Sequence, residues 1–376
     1  MKANRFRGLE IAMDNIRMQE HLLPSGFNVD SLSYEHTEYF LKYGFKVPKA
    51  LSELYYRYNG IKSEKYISDS IYFYYISPFL INMNLSTAFV DKNMYYLHFP
   101  NIRQPETVLH CAGRRYYTPK FKASVSRKEV IAMLLEEEEF IIKPSIYSGR
   151  GRDVQFINVC SVDENDLSNL LDNYCYDFIV QRPVVQHSDL CKLNPTSLNT
   201  LRLYTYNPHG GGGAVLLGAA IRFGGEGAFR DNACTGGGFC KIYDTGLVDD
   251  KIFQYRSLAH LSLNGDKGIS KMIIPSYEKA VSLCLNLQAS QPYIDLIGWD
   301  IAIDIEGNPV LIELNQYPDT EFIQICNGPM FGDYTDDLME RVSKHKTEEK
   351  VVYKRSFGEM LQHYAYNFEI GKQFSI

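Results

Sequence analysis

Three oxygen-bearing side chains, Asp300, Glu313 and Asn315, stand in an otherwise apolar stretch running from Gly298 to Asn315. The stretch reads as two strands joined by a tight turn at Glu306-Gly307-Asn308. Glu313 and Asn315 must share a face, because strand side chains alternate with period two. In a hairpin Asp300 can converge on that face. Two carboxylates and an amide oxygen are hard ligands, the kind a magnesium ion takes. A hairpin with polar ends is also a common structural unit, so the rest of the chain decides how to weigh it.

The other charged residues come in a telling order. Lys92, Lys143, Arg202, Arg222 and Arg230 precede the hairpin, and Asn232 follows Arg230 closely. Each sits at the end of an apolar strand, just beyond one, or at a helix start. A triphosphate needs such an arrangement, with point charges along its phosphates and metal ions bridging them. The bland alternative is a surface or snorkelling lysine and exposed strand arginines.

The elements that must position these groups follow from periodicity and punctuation. Apolar residues at helical spacing mark 5–23. Residues 30–85 are rich in Tyr and Phe, including Tyr55, Tyr58 and Tyr72, and read as a helical layer packed by aromatic rings, with a sugar- or base-stacking surface as the alternative. Ser126 and Glu129 form a capping box opening a helix that ends in the acidic run Glu136–Glu139, expected to face solvent. Phe140 to Pro144 is a buried-type strand carrying Lys143, followed by a small basic loop with Gly149, Arg150, Gly151 and Arg152. A second capping box is expected at Ser161–Glu164, then a strand from Asp177 to Val185. Asn199–Tyr206 and Ala214–Phe223 read as strands, the stretch 224–241 is glycine-rich, and Pro275 opens a helix. The tail beyond Asp333 reads as mainly helical.

Composition narrows the class. A chain of 376 residues, 45% apolar and 22% charged, is an ordinary globular protein of more than one domain or subdomain. A net charge of -6 with no basic stripe argues against nucleic acid. No apolar run is long enough to span a bilayer, and the N-terminus is a poor secretory signal, which leads to the expectation of a cytoplasmic protein without membrane insertion. The eight cysteines show no paired short spacing, and scattered apolar contexts suggest reduced, mostly buried thiols; Cys234 and Cys240 flank a glycine run and could be exposed.

Taken in order, these residues resemble the ATP-grasp superfamily over roughly residues 90–332, most closely the branch associated with sugar transfer, with similarity to glutamate-ligase-type members. Asp91-Lys92 resembles the superfamily's leading phosphate lysine. Ile142-Lys143-Pro144 with Gly149 and Gly151 resembles its second nucleotide lysine and phosphate-covering loop. Gln181-Arg182-Pro183-Val184 matches the strand bordering adenine, with Gln181 where many members have Glu, and Asp189 falls near the usual ribose carboxylate. Asn199-Thr200-Leu201-Arg202 and Ala220-Ile221-Arg222 resemble the arginines around the γ-phosphate. Arg230, Asn232 and Gly236 to Gly238 resemble the Arg-x-Asn…Gly-Gly segment. Asp300, Glu313 and Asn315 match the magnesium triad.

The resemblance implies an α+β fold in which two subdomains clasp ATP, at 89–184 and 185–332, preceded by a helical N-terminal region (1–88) and followed by a helical tail (333–376). It implies ATP and Mg2+ as cofactors. Arg202, Arg222, Arg230 and Asn232 are the expected catalytic set. Lys92, Lys143, Gly149, Gly151, Gln181, Arg182, Val184 and Asp189 are the expected nucleotide contacts. The activity implied is ligation of a small-molecule carboxylate to an amine or sugar-linked nucleophile through an acyl-phosphate, in polysaccharide or cell-envelope synthesis. A phosphotransferase with a hydroxyl acceptor and a nucleotide-binding module without turnover are the alternatives.

Overall fold

The computed structural model describes residues 31–48, 50–146, 153–174, 177–209, 212–228, 236–254 and 257–348. Strands β1 (Thr107–Ala112), β2 (Arg115–Tyr117), β3 (Ser124–Val125), β4 (Glu139–Pro144), β5 (Gln155–Asn158) and β6 (Phe178–Gln181) form one antiparallel sheet, in the order β3-β2-β1-β6-β4-β5. Strands β7 (Thr200–Tyr206), β8 (Val215–Phe223) and β9 (Gly238–Lys241) join β12 (Leu296–Ile303) and β13 (Pro309–Asn315) in a second antiparallel sheet, ordered β13-β12-β7-β8-β9. Between them in sequence, β10 (Lys251–Ile252) and β11 (Leu261–Ser262) pair as a short ribbon.

Alternation in β4 explains how the first sheet divides its faces. Phe140 and Ile142 turn inward with Leu109, Cys111, Phe178 and Val180, and bury against the apolar sides of helices α1 (Arg127–Leu135) and α2 (Glu164–Asn173). Ile141 and Lys143 therefore face the other way. Helix α1 starts at the expected Ser126–Glu129 capping box. Helix α2 does not start at Ser161. That hydroxyl donates to the Asn158 carbonyl, and the box is made two residues later by Asp163 and Asp166. The acidic run after α1 is not wholly solvated either, because Glu137 holds the Arg182 guanidinium.

The aromatic-rich segment lies on the second sheet. Residues 31–90 form short helices: Ser31–Leu41, Leu51–Asn59, a run from Asp69 to Leu80 whose middle turn, Tyr72–Ile76, is a π-helix, and Met83–Val90. Tyr55, Tyr58, Tyr66 and Tyr72 are fully buried and share one core with Leu203, Trp299 and Leu314 of the sheet. These rings are packing elements, which removes them from any stacking surface. The Gln324 side chain bonds both backbone groups of Ile67, and Asp336 accepts from Tyr39, Tyr43 and Lys65, so helices Thr320–Asn327 and Thr335–Glu348 are tied to the same layer. Cys111, Cys240, Cys284 and Cys326 are buried free thiols, which corrects the exposure expected of Cys240. Among the described residues no helix is long and apolar enough to cross a membrane.

Candidate active site

Register builds one half of the site. Glu313 of β13 lies opposite Asp300 of β12, and Asp300 lies opposite Arg202 of β7. Residues directly opposite one another share a face, so Glu313, Asp300 and Arg202 form a cross-strand row. Asn315 and Thr200 follow at period two, and Arg222 of β8 faces Thr200. Gly298 sits opposite Asn315, where a Cβ would lie 2.8 Å from the Cβ of Pro318. The loop after Asn315 can thus fold close over the hairpin.

Within this row the charges are already paired. Arg202 grips Asp300 with two bonds, Nε to Oδ1 at 2.6 Å and Nη2 to Oδ2 at 3.1 Å. Arg222 Nη2 reaches the same Oδ1 at 3.1 Å and donates to Thr200 Oγ1 at 2.7 Å. Asn315 Nδ2 donates to the Gly298 carbonyl at 3.2 Å and to Asp300 Oδ2 at 3.3 Å. Burial pushes the Asp300 carboxyl up, but the charges of Arg202 and Arg222 outweigh it and hold it below the usual carboxylate range.

The other half comes from the segment before the first sheet and from β4. Asp91 caps a single 3-10 turn, Lys92–Met94, by accepting from the Asn93 amide. Lys92, only 4% exposed, donates to Glu313 Oε1 at 2.8 Å. Its backbone amide bonds the Ser145 carbonyl, just beyond β4. One turn on, the Tyr95 hydroxyl accepts from the Leu314 amide at 2.8 Å. This segment therefore holds edge strand β13 by a side chain and by its backbone, and joins the two sheets at the site. Lys143 is 9% exposed, and its ammonium makes no hydrogen bond or ion pair with any described residue. Burial and then the charge of Lys92 bring its ammonium down to about 8, against the pull of Glu313 and Asp300. A buried cation with no hydrogen-bonded anion is costly, and an anionic ligand would relieve it.

The remaining sequence-derived residues fall into several groups. Gln181 lies on the same face as Lys143, since it faces Ile141 across the β4–β6 pair and Lys143 faces Ile179. Its Nε2 points to the Pro105 carbonyl at 3.3 Å and its Oε1 is buried without a hydrogen-bond partner. The Arg182 guanidinium is held by Glu106 and Glu137. Val184 is half-buried beyond β6. Asp189 is taken by Lys192 at 2.5 Å in the short helix Ser188–Cys191, and bonds none of the other candidates. Gly238 is a packing position, because a Cβ there would meet Ile252 Cγ2 at 2.7 Å. Gly149, Gly151, Arg150, Arg152, Arg230 and Asn232 lie outside the described residues.

A fit to a metal can be judged from the donors. Among the described residues no three His, Cys, Asp or Glu side chains are placed to hold one. Asp300 spends four acceptor positions on Arg202, Arg222 and Asn315, about as many as a carboxylate has. In this arrangement it anchors the two arginines and the Asn315 amide beside Glu313. Glu313 keeps one carboxylate oxygen outside its bond to Lys92, and the Asn315 amide, anchored through nitrogen, leaves its oxygen as an acceptor. These two fit a hard cation. Thr200 and Tyr95 were not singled out from sequence, although each lies at a fixed period from a residue that was.

The family model described as sugar-transfer associated ATP-grasp matches residues 85–335. No curated protein matches the chain. Among solved structures, the ATP-grasp ligase PsnB complexed with a minimal precursor is 13% identical with a TM-score of 0.40, over 69% of this chain and 64% of that one. The D-cycloserine synthetase DcsG is 14% identical with a TM-score of 0.39, over 70% and 73%. The D-alanine-D-alanine ligase from Coxiella burnetii is 7% identical with a TM-score of 0.39, over 71% and 62%. The chain thus spans less than two thirds of the first and third of these.

Proposed function

We propose, from the premise that the chain belongs to the sugar-transfer-associated ATP-grasp family, that it is an ATP-dependent ligase joining a carboxylate to an amine or sugar-linked nucleophile. The observation that carries this reading is the paired row Glu313–Asp300–Arg202 set against the buried Lys143 ammonium, which bonds no described residue. Lys143 and Lys92 hold the phosphates of ATP. Gln181, with an orphaned buried oxygen, accepts from the amino group of the base. Glu313 and Asn315 hold Mg2+, which supplies charge neutralisation at the transferring phosphate.

The substrate carboxylate attacks the γ-phosphorus, the bond to the bridging oxygen breaks, and ADP leaves with the electron pair. The product is an acyl-phosphate. An amine then attacks the acyl carbon, inorganic phosphate departs and the amine loses a proton. Arg202 and Arg222, oriented beforehand by Asp300, stabilise the charge that develops on oxygen in both steps. No side-chain nucleophile is required. The family's association with sugar transfer supports substrates drawn from polysaccharide or envelope synthesis.

A mass-spectrometric screen of carboxylate and amine pairs tests this. ADP-coupled condensation, with a hydroxamate formed when hydroxylamine replaces the amine, is the expected result. A stable phosphorylated alcohol would assign a phosphotransferase instead. Nucleotide binding without ADP release across the panel would assign a module without turnover.

A further inference from the structure

The segment Arg114 to Lys128 carries six Arg or Lys and no Asp or Glu, in a chain whose net charge is -6. The proposed chemistry uses none of them. Arg127 is paired with Asp172 at 2.5 Å. Arg114, Arg115, Lys120, Lys122 and Lys128 are exposed, and none makes an ion pair with a described residue. Lys128 belongs to helix α1, on the core side of the sheet. The others surround the β2–β3 hairpin.

Register places this hairpin relative to Lys143. Lys143 faces Ile179, Ile179 faces His110, His110 faces Tyr117, and Tyr117 faces Ser124. All five stand on one face of the sheet, in one row. Three strand spacings separate β4 from β2, so Tyr117 stands about 14 Å from the Lys143 strand. Arg115 shares the face by period two. Phe121 stacks on the His110 ring at 4.5 Å and meets Tyr117 at 4.8 Å, with Tyr96 stacked at 5.9 Å. Lys120 and Phe121 both take positive φ, 60° and 53°, which costs non-glycine residues free energy. The His110 ring holds the turn by accepting from the Lys120 amide. The result is a half-buried aromatic cluster with Arg115, Lys120 and Lys122 standing free around it.

We infer that this face binds an acidic glycan, a sugar chain bearing carboxylates or phosphates, whose reacting end reaches the Lys143 site. Tyrosine and phenylalanine edges suit the apolar faces and hydroxyls of sugar rings. The cations suit the acid groups. A nucleic acid fits less well: its charge is dense, one per phosphate, and the molecule's net negative charge opposes it outside this patch. The Phe121 faces are also taken by His110 and Tyr96, leaving little flat surface for a base. The binding stands without the ligase reading; that the glycan's end reacts at the Lys143 site rests on it.

Calorimetry on the full chain without nucleotide tests it, with an α-1,4-oligogalacturonate, the neutral maltohexaose and single-stranded oligodeoxythymidylate as probes. The acidic oligosaccharide is expected to bind, more weakly as salt rises, and the neutral one not to bind. Arg115→Ala, Lys120→Ala and Lys122→Ala combined are expected to weaken binding about tenfold. The affinity for a non-hydrolysable ATP analogue, measured on the same variant, is expected to hold. Tyr117→Ala is expected to weaken the sugar without changing the salt dependence. Equal binding of the neutral sugar, tighter binding of the oligonucleotide, an unmoved triple variant, or no binding of oligogalacturonate at millimolar concentration would each overturn the inference.

Discussion

The Lys92–Glu313 pair makes an asymmetric prediction about stability. Its two ends differ in access to water: Lys92 is 4% exposed, whereas the Glu313 side chain is 27% exposed. Removing one member of a buried pair costs about 3–5 kcal/mol when the other is left without solvent or partner. Glu313→Gln takes the carboxylate away from a Lys92 ammonium that stays out of water, beside the like charge of Lys143, so its cost moves toward that range. Lys92→Met leaves a carboxylate that can turn to water, so its cost falls toward the exposed-pair range of about 1 kcal/mol. The double variant removes both charges and should be more stable than Glu313→Gln alone. Urea denaturation of the nucleotide-free protein measures all three, with an unchanged m-value as the control for two-state behaviour. A Lys92→Met variant as destabilised as Glu313→Gln, or a double variant equal to the sum of the two, would refute the reasoning. Glu313→Gln should also abolish magnesium-dependent ATP turnover, and retained turnover would remove Glu313 from the metal.

Three further outcomes are expected. Arg202→Lys keeps the charge but loses the two-point grip on Asp300, so kcat should fall by about a hundredfold or more with a smaller change in nucleotide affinity; near-normal kcat would rule out an oriented arginine. Gln181→Leu removes the orphaned acceptor on the Lys143 face, so calorimetry should show an ATP analogue binding about tenfold more weakly and a GTP analogue unchanged; equal losses would argue against base reading. His36 is buried and bonded to the Tyr66 carbonyl, and burial lowers it from 6.5 to about 4. The folded state keeps it neutral while the unfolded chain takes a proton, so its contribution is complete above pH 6.5, is lost as pH falls to about 4, and amounts to at most about 3 kcal/mol; His36→Gln should flatten that part of the denaturation profile, and parallel profiles would contradict it.

What was readable in the chain was whatever a short period encodes. Glu313 and Asn315 share a face by alternation, and Lys143 leaves the core because Phe140 and Ile142 enter it. Ser126 and Glu129 announce a helix start at three-residue spacing. What was hidden depends on register between distant strands. Nothing local to Asp300 says that Arg202, ninety-eight residues earlier, will saturate it. Arg182 reads as a cleft residue until Glu106 and Glu137, on other elements, claim it. The row from Lys143 to Tyr117 crosses four strands whose order is not the order of the chain. The second capping box lies two residues later because the Ser161 hydroxyl is spent on the Asn158 carbonyl, and Asp163, with extended backbone, accepts from the Asp166 amide.

The charges around the site also explain one another. Among the described residues Lys92, Lys143, Arg202 and Arg222 face Asp300 and Glu313, an excess of two cations in a largely buried place. Asp300 accepts from Arg202 and pairs with Arg222, and Glu313 accepts from Lys92. The surplus collects at Lys143, whose ammonium burial and the charge of Lys92 bring down to about 8. A polyphosphate entering here meets a cation already desolvated and bonded to no described residue, so it need displace none of them to gain that contact. A metal ion would take the Glu313 oxygen that Lys92 leaves open and so weaken the hold of that carboxylate on Lys92, and a phosphate is a group that can share the ammonium. Each ligand removes the charge that the other would leave stranded, so an empty cleft of this composition favours taking up metal and polyphosphate together over taking up either alone.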